Sequence, residues 1–597
     1  MMTSIEDLKL KDYKTKILIG ITLFLVTLLI LRLFYLQIFN YKSITQRAQY
    51  STSRISILVA PRGIIYDRNG KILATNKQSI SVIAYPTKLK TQKEKLAVYN
   101  KLTRILKENP LKLRRSIMKL PENAPLPIRI QSNISIQEAI QIIEKQHLLP
   151  GISIQQEPVR YYPYGSLAAH VIGYISQINE HELEKRPDRK LGDLVGKYGV
   201  ENIFDDLLRG KDGKTIVEVD RLGRPIDPDY EHAVIHIEPI PGKNIHLTLD
   251  ADLQKATEEA LKSTGTSSAA VVVNPNTGEV LAIASYPTFD PNIFTKPLPI
   301  NVWKNLLAQK AFLNRAILGY VPGSIWKPVT LITALDAMVV KPGEKFHVSE
   351  GFYLGSTRFG DWTSKEGVLS LEEALAWSRD TAFYQIGRRL TPEQIKKWGV
   401  RLGAGRKTGI ELLDEDKGIV PDEKWKKENY KEPWYPGNTL HYAIGQSFLL
   451  VTPTQAARIY SGIATGSKVP KLQLIKKIYD HEKNFQAPET FQIDQSLLKI
   501  VKNGLEICVD SGTGQAAKLE NIKVAGKTGS AEVPGTTGRT HGWFAAYAPA
   551  DKPEIVIIAI AEKAGHGGTI AAPIAKRILE EYFKISNKPL ASNNKPL

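Results

Sequence analysis

The sequence predicts an α+β protein carried on a single N-terminal transmembrane helix, with a β-rich region ahead of a larger mixed domain. Three observations predict it. An apolar run from Ile17 to Phe39 is long enough to span a bilayer. Strand-like runs broken by turn residues follow, starting at Arg54. Beyond about Lys243, strand signals bracket a mostly helical middle, the pattern of an antiparallel sheet with a helical subdomain. The 597 residues leave room for two or three domains, each with its own core. The expected division is a tail at 1–16, an anchor at 17–39, a first domain at 40–243, a second at 244–584 and a disordered tail at 585–597.

The anchor reads as uncleaved, because no small-x-small site follows it in Asn40-Tyr-Lys-Ser-Ile44. Lys9, Lys11, Lys14 and Lys16 precede it and favour a cytoplasmic N-terminus, although Lys42, Arg47 and Arg54 make the asymmetry mild. Arg32 inside the run reads as a side chain snorkelling to the interface.

In the first domain, Ile64 to Asp67 and Lys71 to Ala74 flank Arg68-Asn-Gly70, a hairpin signal. Lys93 to Lys119 and Ser135 to Lys145 read as helices. Pro239-Ile-Pro-Gly-Lys243 marks the boundary, and His246 to Asp250 a first strand of the second domain. Asp252 to Leu261 is then helical. Ala269 to Val273 and Glu279 to Ala284 form a hairpin around Asn276-Thr-Gly278. Gly542 to Tyr547 and Glu554 to Glu562 read as further strands, and Ala571 to Tyr582 as a closing helix.

The balance of 80 Lys and Arg against 61 Asp and Glu gives a net charge of +19, which suits an anionic surface or an acidic polymer. The cations are scattered rather than striped among aromatics, so nucleic acid is not the expected partner. A single cysteine, Cys508, allows no intramolecular disulfide.

Three short groups carry chemistry: Ser324-Ile-Trp-Lys327, Ser378-Arg-Asp380 and Lys527-Thr-Gly529. They supply a serine nucleophile with a lysine one turn away, a polar pair to relay protons, and a cationic strand to hold a carboxylate. Acyl transfer through a serine ester needs that set when no histidine triad is present. Each pattern alone is weak. Ser-x-x-Lys also occurs at Ser116, Ser496 and Ser592, and Lys-Thr-Gly also at Lys407. Only Ser324 follows a Pro-Gly turn and opens an apolar run. Lys527 leads into the late strands, whereas Lys407 lies in a glycine-broken loop.

With these motifs the chain resembles the class B penicillin-binding proteins, along nearly all of its length after the anchor. Further matching segments are Arg62-Gly-Ile-Ile-Tyr-Asp-Arg-Asn-Gly70, Tyr162-Pro-Tyr-Gly165, Ala169-His-Val-Ile-Gly173 and Gly196-Lys-Tyr-Gly-Val-Glu201. Asn274-Pro-Asn-Thr-Gly-Glu279, Phe289-Asp-Pro-Asn292, Ile444-Gly-Gln446 and Thr452-Pro453 complete the set. Asp380 where asparagine is usual, with Thr381 and Phe383-Tyr-Gln385 after it, resembles the elongation-specific branch, penicillin-binding protein 2.

The resemblance implies an elongated pedestal followed by a penicillin-binding/β-lactamase-like transpeptidase domain that cross-links peptidoglycan stem peptides and is inhibited by β-lactams. It implies that Ser324 attacks the penultimate D-Ala carbonyl, that Lys327 takes the proton, and that Ser378 returns it to the leaving amine. To act as a base Lys327 must be neutral; burial and the charge of Lys527 would favour that, and Asp380 would oppose it. Lys527 and Thr528 would bind the donor carboxylate, Gly529 would let the strand approach the ligand, and the N–H groups of Ser324 and Ser530 would form the oxyanion hole. No cofactor is implied. No metal site is carried over, because Ser364-Lys-Glu-Gly367 and Arg379 stand where some relatives place ligands. The implied location is the cytoplasmic membrane, with the catalytic domain outside, and the implied partner is a RodA-type glycosyltransferase of the elongation complex.

Rival readings are a β-lactamase, a non-catalytic β-lactam receptor or scaffold, and the septal class B relative. A β-lactamase needs a deacylating base that the spacing does not identify. A receptor needs more than the roughly sixteen residues ahead of the anchor to fold an inward effector.

Overall fold

Residues 555–561 are apolar without alternation, and both faces of the strand they form are covered. In this computed structural model, residues 5–39, 53–89, 91–106, 110–120, 127–189, 193–218, 234–295, 298–484, 486–533, 536 and 538–586 are described. They fall into two units. One comprises residues 1–61, 78–158 and 211–240; the other comprises residues 62–77, 159–210 and 241–597.

The first unit begins with the helix Ile5–Phe34, which starts well ahead of the expected anchor. Within it and the turn that follows, Tyr13–Ile38 is long and apolar enough to cross a membrane, and its side chains are exposed. The strand Ser53–Leu58 pairs antiparallel with Gly213–Glu218, which pairs with Val234–Ile237. A separate core of Val82, Val98, Leu102, Ile117 and Ile142 lies under helices Gln92–Leu102, Pro110–Met118 and Ile136–Glu144. Reciprocal capping by Thr91 with Glu94 and by Ser135 with Glu138 fixes two of the helix starts.

The second unit is built on a five-stranded antiparallel sheet. Its spatial order is Val280–Tyr286, Ser268–Val273, Ile555–Ala561, Thr540–Ala548, Ala525–Glu532. The hairpin expected around Asn276-Thr-Gly278 supplies the first two strands, and Asn274 Oδ1 accepts the N–H groups of Asn276 and Thr277 to close its turn. Side chains alternate between two cores. Val556, Ile558 and Ile560 face a large helical cluster, while Ile555, Ile557 and Ala559 face the helices Ala251–Lys262 and Gly567–Ser586. Double coverage explains the unbroken apolar runs. The closing helix extends to Ser586, past the boundary at 584; residues 587–597, with Ser592, lie outside the described residues.

Motif residues far from the serine also find physical reasons in this unit. Glu201, fully buried, takes Arg62 Nε at 2.6 Å and Arg160 Nε at 2.6 Å, and Arg62 also reaches Asp205 at 2.7 Å. Asn292 exchanges two hydrogen bonds with the backbone of Tyr162. Thr452 caps the helix Pro453–Thr465. The combination of α+β architecture, N-terminal apolar helix and β-rich first region agrees with the predicted fold class.

Candidate active site

The Pro322-Gly323 turn leads into a 3₁₀ turn, Gly323–Trp326, that continues directly as the helix Lys327–Asp336. Residues three apart eclipse in a 3₁₀ turn, so Ser324 and Lys327 share a face. The turn is pinned from three sides. Gly323 N–H donates to Gly445 O at 2.9 Å, Trp543 Nε1 to Val321 O at 3.0 Å, and Tyr460 OH to Ile325 O at 3.0 Å. Gly445 is required there: its φ is +82°, and a Cβ would stand 2.0 Å from Gly323 O. Trp326 is buried and stacks on Tyr442. Ser324 stays partly exposed at the mouth of the turn.

Lys327 is fully buried, and its Nζ donates to Ser378 O at 2.8 Å, Ser378 Oγ at 3.3 Å and Asp380 Oδ1 at 2.7 Å. Ser378 sits at φ +56° between the helices Leu371–Ala376 and Asp380–Gly387. That left-handed residue turns the carbonyl towards Lys327, where Trp362 Nε1 also donates to it at 3.1 Å. Asp361 holds the second motif from behind, accepting Thr381 N–H at 2.9 Å and pairing with Arg379 at 3.3 Å.

Ala525–Glu532 is the edge strand of the sheet, so one row of its peptide groups has no strand partner. Lys527 is buried on this strand, with Nζ donating to Thr528 O at 3.0 Å. Burial lowers its ammonium to about 7, and the neighbouring Lys327 charge pushes the same way. Alternation places Thr528 and Ser530 on the opposite face from Lys527. There Thr528 Oγ1 lies 2.6 Å from Thr513 Oγ1, and Ser530 Oγ lies 3.3 Å from His566 Nδ1 and accepts Gly567 N–H at 3.4 Å. At Gly529, the close approach is to the nucleophile turn: a Cβ would stand 3.0 Å from Pro322 O.

Thus Lys327, Ser378 and Asp380 meet directly, and Lys527 lies within electrostatic reach of Lys327 and Asp380. The other motif copies go elsewhere. Ser496 Oγ bonds Asp494 at an exposed helix start, Ser116 lies on a helix of the first unit, and Lys407 occupies the loop after Pro392–Arg401. Trp362, Asp361, Thr513 and Cys508 were not singled out for the site from the sequence. Thr513 had a signal, the glycine-rich turn Ser511-Gly-Thr-Gly514 after a long helix; buried Cys508, whose Sγ lies 3.5 Å from Thr513 Oγ1, had none.

Residues 268–580 match the profile of the penicillin binding protein transpeptidase domain, and residues 57–247 that of the penicillin-binding protein dimerisation domain. The peptidoglycan D,D-transpeptidase MrdA of Acinetobacter baumannii is 30% identical over 96% of this chain and 88% of its own length. MrdA of Escherichia coli K12 is 30% identical over 94% of this chain and 92% of its own. Among solved structures, the PBP2–MreC complex of Helicobacter pylori superposes with a TM-score of 0.79, at 26% identity over 90% of this chain and all of that one. Pseudomonas aeruginosa PBP2 in complex with WCK 5153 gives 0.68, at 27% identity over 91% and 100%. A peptidoglycan synthase complex that coordinates polymerization and crosslinking gives 0.71, at 29% identity over 98% and 99%. Two family models and relatives 30% identical along nearly the whole chain leave one assignment: the chain belongs to the penicillin-binding protein transpeptidases, in the branch of MrdA and PBP2.

Proposed function

We propose that this chain is a serine D,D-transpeptidase that cross-links peptidoglycan stem peptides during cell elongation, through an acyl-enzyme on Ser324. The observation that carries the reading is the buried Lys327 Nζ, one turn from Ser324 and bonded to both Ser378 and Asp380. Ser324 Oγ attacks the carbonyl of the penultimate D-Ala and passes its proton to Lys327 Nζ, which takes it as the free amine. Ser378 Oγ, 3.3 Å from that nitrogen, relays the proton to the departing amine as the C–N bond breaks. Terminal D-Ala leaves, and an ester remains. The amine of a neighbouring stem then attacks the ester, and Ser324 recovers a proton along the reverse path.

Thr528 binds the donor's terminal carboxylate, the buried Lys527 draws it by charge from the other face of the edge strand, and the N–H groups of Ser324 and Ser530 receive the oxyanion. Each such donor contributes about 3–4 kcal/mol in comparable sites. Asp380 faces the same nitrogen, its carboxylate 2.7 Å from Nζ.

The chain reads as a single-pass membrane protein from its one described apolar helix. The proposal places the N-terminus in the cytoplasm, the catalytic domain outside the cytoplasmic membrane, and a RodA-type glycosyltransferase of the elongation complex beside it. Domain limits at 40–243 and 244–584 belong to the same proposal. Intact-mass labelling by penicillin tests the core of it: a long-lived adduct on the parent and none on Ser324→Ala is expected. Rapid turnover without accumulation means a β-lactamase, and no adduct on folded parent overturns the enzyme reading.

A further inference from the structure

The residue that relays the proton stands where a glycine would be expected. The helix Leu371–Ala376 ends in a Schellman turn: Arg379 N–H donates to Ala374 O at 3.0 Å and Ser378 N–H to Leu375 O at 3.1 Å. Ser378 takes the left-handed position of that turn, at φ +56°. Glycine suits the position because a Cβ crowds it. The relay needs a hydroxyl there instead, so the backbone must be held in place from outside the turn.

The dipeptide Asp361-Trp362 does the holding. The buried Asp361 carboxylate accepts Thr381 N–H and Thr381 Oγ1 at 2.9 Å each and Arg379 Nε at 3.3 Å, while Asp361 N–H donates to Glu350 O at 2.9 Å. With its neighbour fixed in this way, Trp362 reaches the motif through Nε1, which donates to Ser378 O at 3.1 Å. Lys327 Nζ donates to the same oxygen at 2.8 Å, so both lone pairs of that carbonyl are used. The two donors differ in what the reaction asks of them. Lys327 must exchange a proton with Ser324 and with Ser378 Oγ, and its bond to the carbonyl changes as it does so. An indole N–H is a donor only and keeps its proton throughout. Trp362 is also 57% exposed, so its ring buries little surface, and the N–H bond is the contact it makes to the second motif.

We propose that Trp362 is a positioning residue for transpeptidation. Its indole N–H holds the Ser378 carbonyl, and with it the Ser378 hydroxyl and Lys327 Nζ, while the proton moves among Ser324, Lys327 and Ser378. The inference rests on the acyl-enzyme reading above.

Penicillin acylation of the full chain in detergent at pH 8, resolved into a maximal rate and a half-saturating concentration, tests it. Trp362→Phe keeps an aromatic ring and loses the donor. It is expected to lower the maximal rate about fivefold, as fits the loss of one neutral hydrogen bond, with the half-saturating concentration unchanged. Trp362→His sets Nε2 where the indole nitrogen stands, since the two five-membered rings share that position, and is expected to recover at least half of the parental rate. Replacing Trp362 by 3-benzothienylalanine keeps the bicyclic ring with sulfur in place of N–H, and is expected to slow the reaction as Trp362→Phe does. A parental rate with benzothienylalanine would overturn the proposal, as would Trp362→His no faster than Trp362→Phe. A change confined to the half-saturating concentration would make the indole a ligand contact and overturn it too. The benzothienylalanine chain is nearly isosteric with the parent, so it decides the matter even if Trp362→Phe or Trp362→His fails to fold. No acylation of the folded parent would instead overturn the acyl-enzyme reading, and this proposal with it.

Discussion

Asp380 Oδ1 lies 2.7 Å from Lys327 Nζ, and in this ion pair Lys327 is wholly buried while Asp380 is partly exposed. Of the two lysines that Asp380 could have met, it meets the one beside the nucleophile. The carboxylate therefore acts on the group that must accept the Ser324 proton.

Replacing Asp380 by Asn removes the charged partner of Nζ but leaves an oxygen to orient it. The pH profile of penicillin acylation is expected to differ between Asp380→Asn and the parent. Stopped-flow acylation between pH 5 and 9 reads this directly. Superimposable profiles would remove Asp380 from any part in tuning the base.

Lys527 gives a second pH dependence. Its ammonium, lowered by burial from 10.5 to about 7, is lost just as pH rises through neutrality. A carboxylate ligand needs it charged. Affinity of Ser324→Ala for a D-alanyl-D-alanine peptide should therefore fall above pH 7, by about tenfold per unit. A guanidinium stays charged throughout, so Lys527→Arg is expected to flatten the curve. A parent whose affinity is level from pH 6 to 9 would show that Lys527 does not carry the recognition.

Glu201 is expected to matter for stability rather than chemistry. It balances Arg62 and Arg160 in a site closed to water, and Arg160 already leaves one nitrogen unpaired there. Glu201→Ala leaves Arg62 with Asp205 alone and strands the buried Arg160 guanidinium, a change of the kind that costs about 3–5 kcal/mol. Denaturant unfolding of the full chain should show that loss, with penicillin acylation of the folded variant intact. A loss below about 1 kcal/mol would mean that solvent reaches the arginines.

How much of this was legible follows from which signals are local. The Ser324 turn announces itself through Pro322-Gly323 and the apolar run behind it, because a helix start is written in adjacent residues. The hairpin at Asn274 to Gly278 and the cap at Thr452 are local in the same way. Asp380's choice of Lys327 is not, since 53 positions separate them and only packing of two helices brings them together. The alternation that sends Thr528 towards Thr513 follows from strand period alone, yet the identity of its partner does not. Interleaving is the extreme case: residues 78–158 and 211–240 join one unit while the segment between them joins the other.

Glu258 supplies the last expectation, a pH dependence of the fold itself. On the helix Ala251–Lys262, its Oε1 accepts Ala168 N–H at 2.7 Å and Gln254 Nε2 at 2.8 Å. Burial outweighs these donors and raises the carboxyl from 4.5 to about 7. Between those values the folded chain binds more protons than the unfolded one, so stability falls as pH rises and levels off above about 7. At 1.36 kcal/mol per pH unit the fall is at most about 3 kcal/mol, less whatever the partial exposure of the side chain screens. Glu258→Gln keeps the acceptor and cannot ionise. Denaturant midpoints at pH 5 and pH 8 should therefore differ less in Glu258→Gln than in the parent. An equal difference in both would assign the pH dependence to other groups.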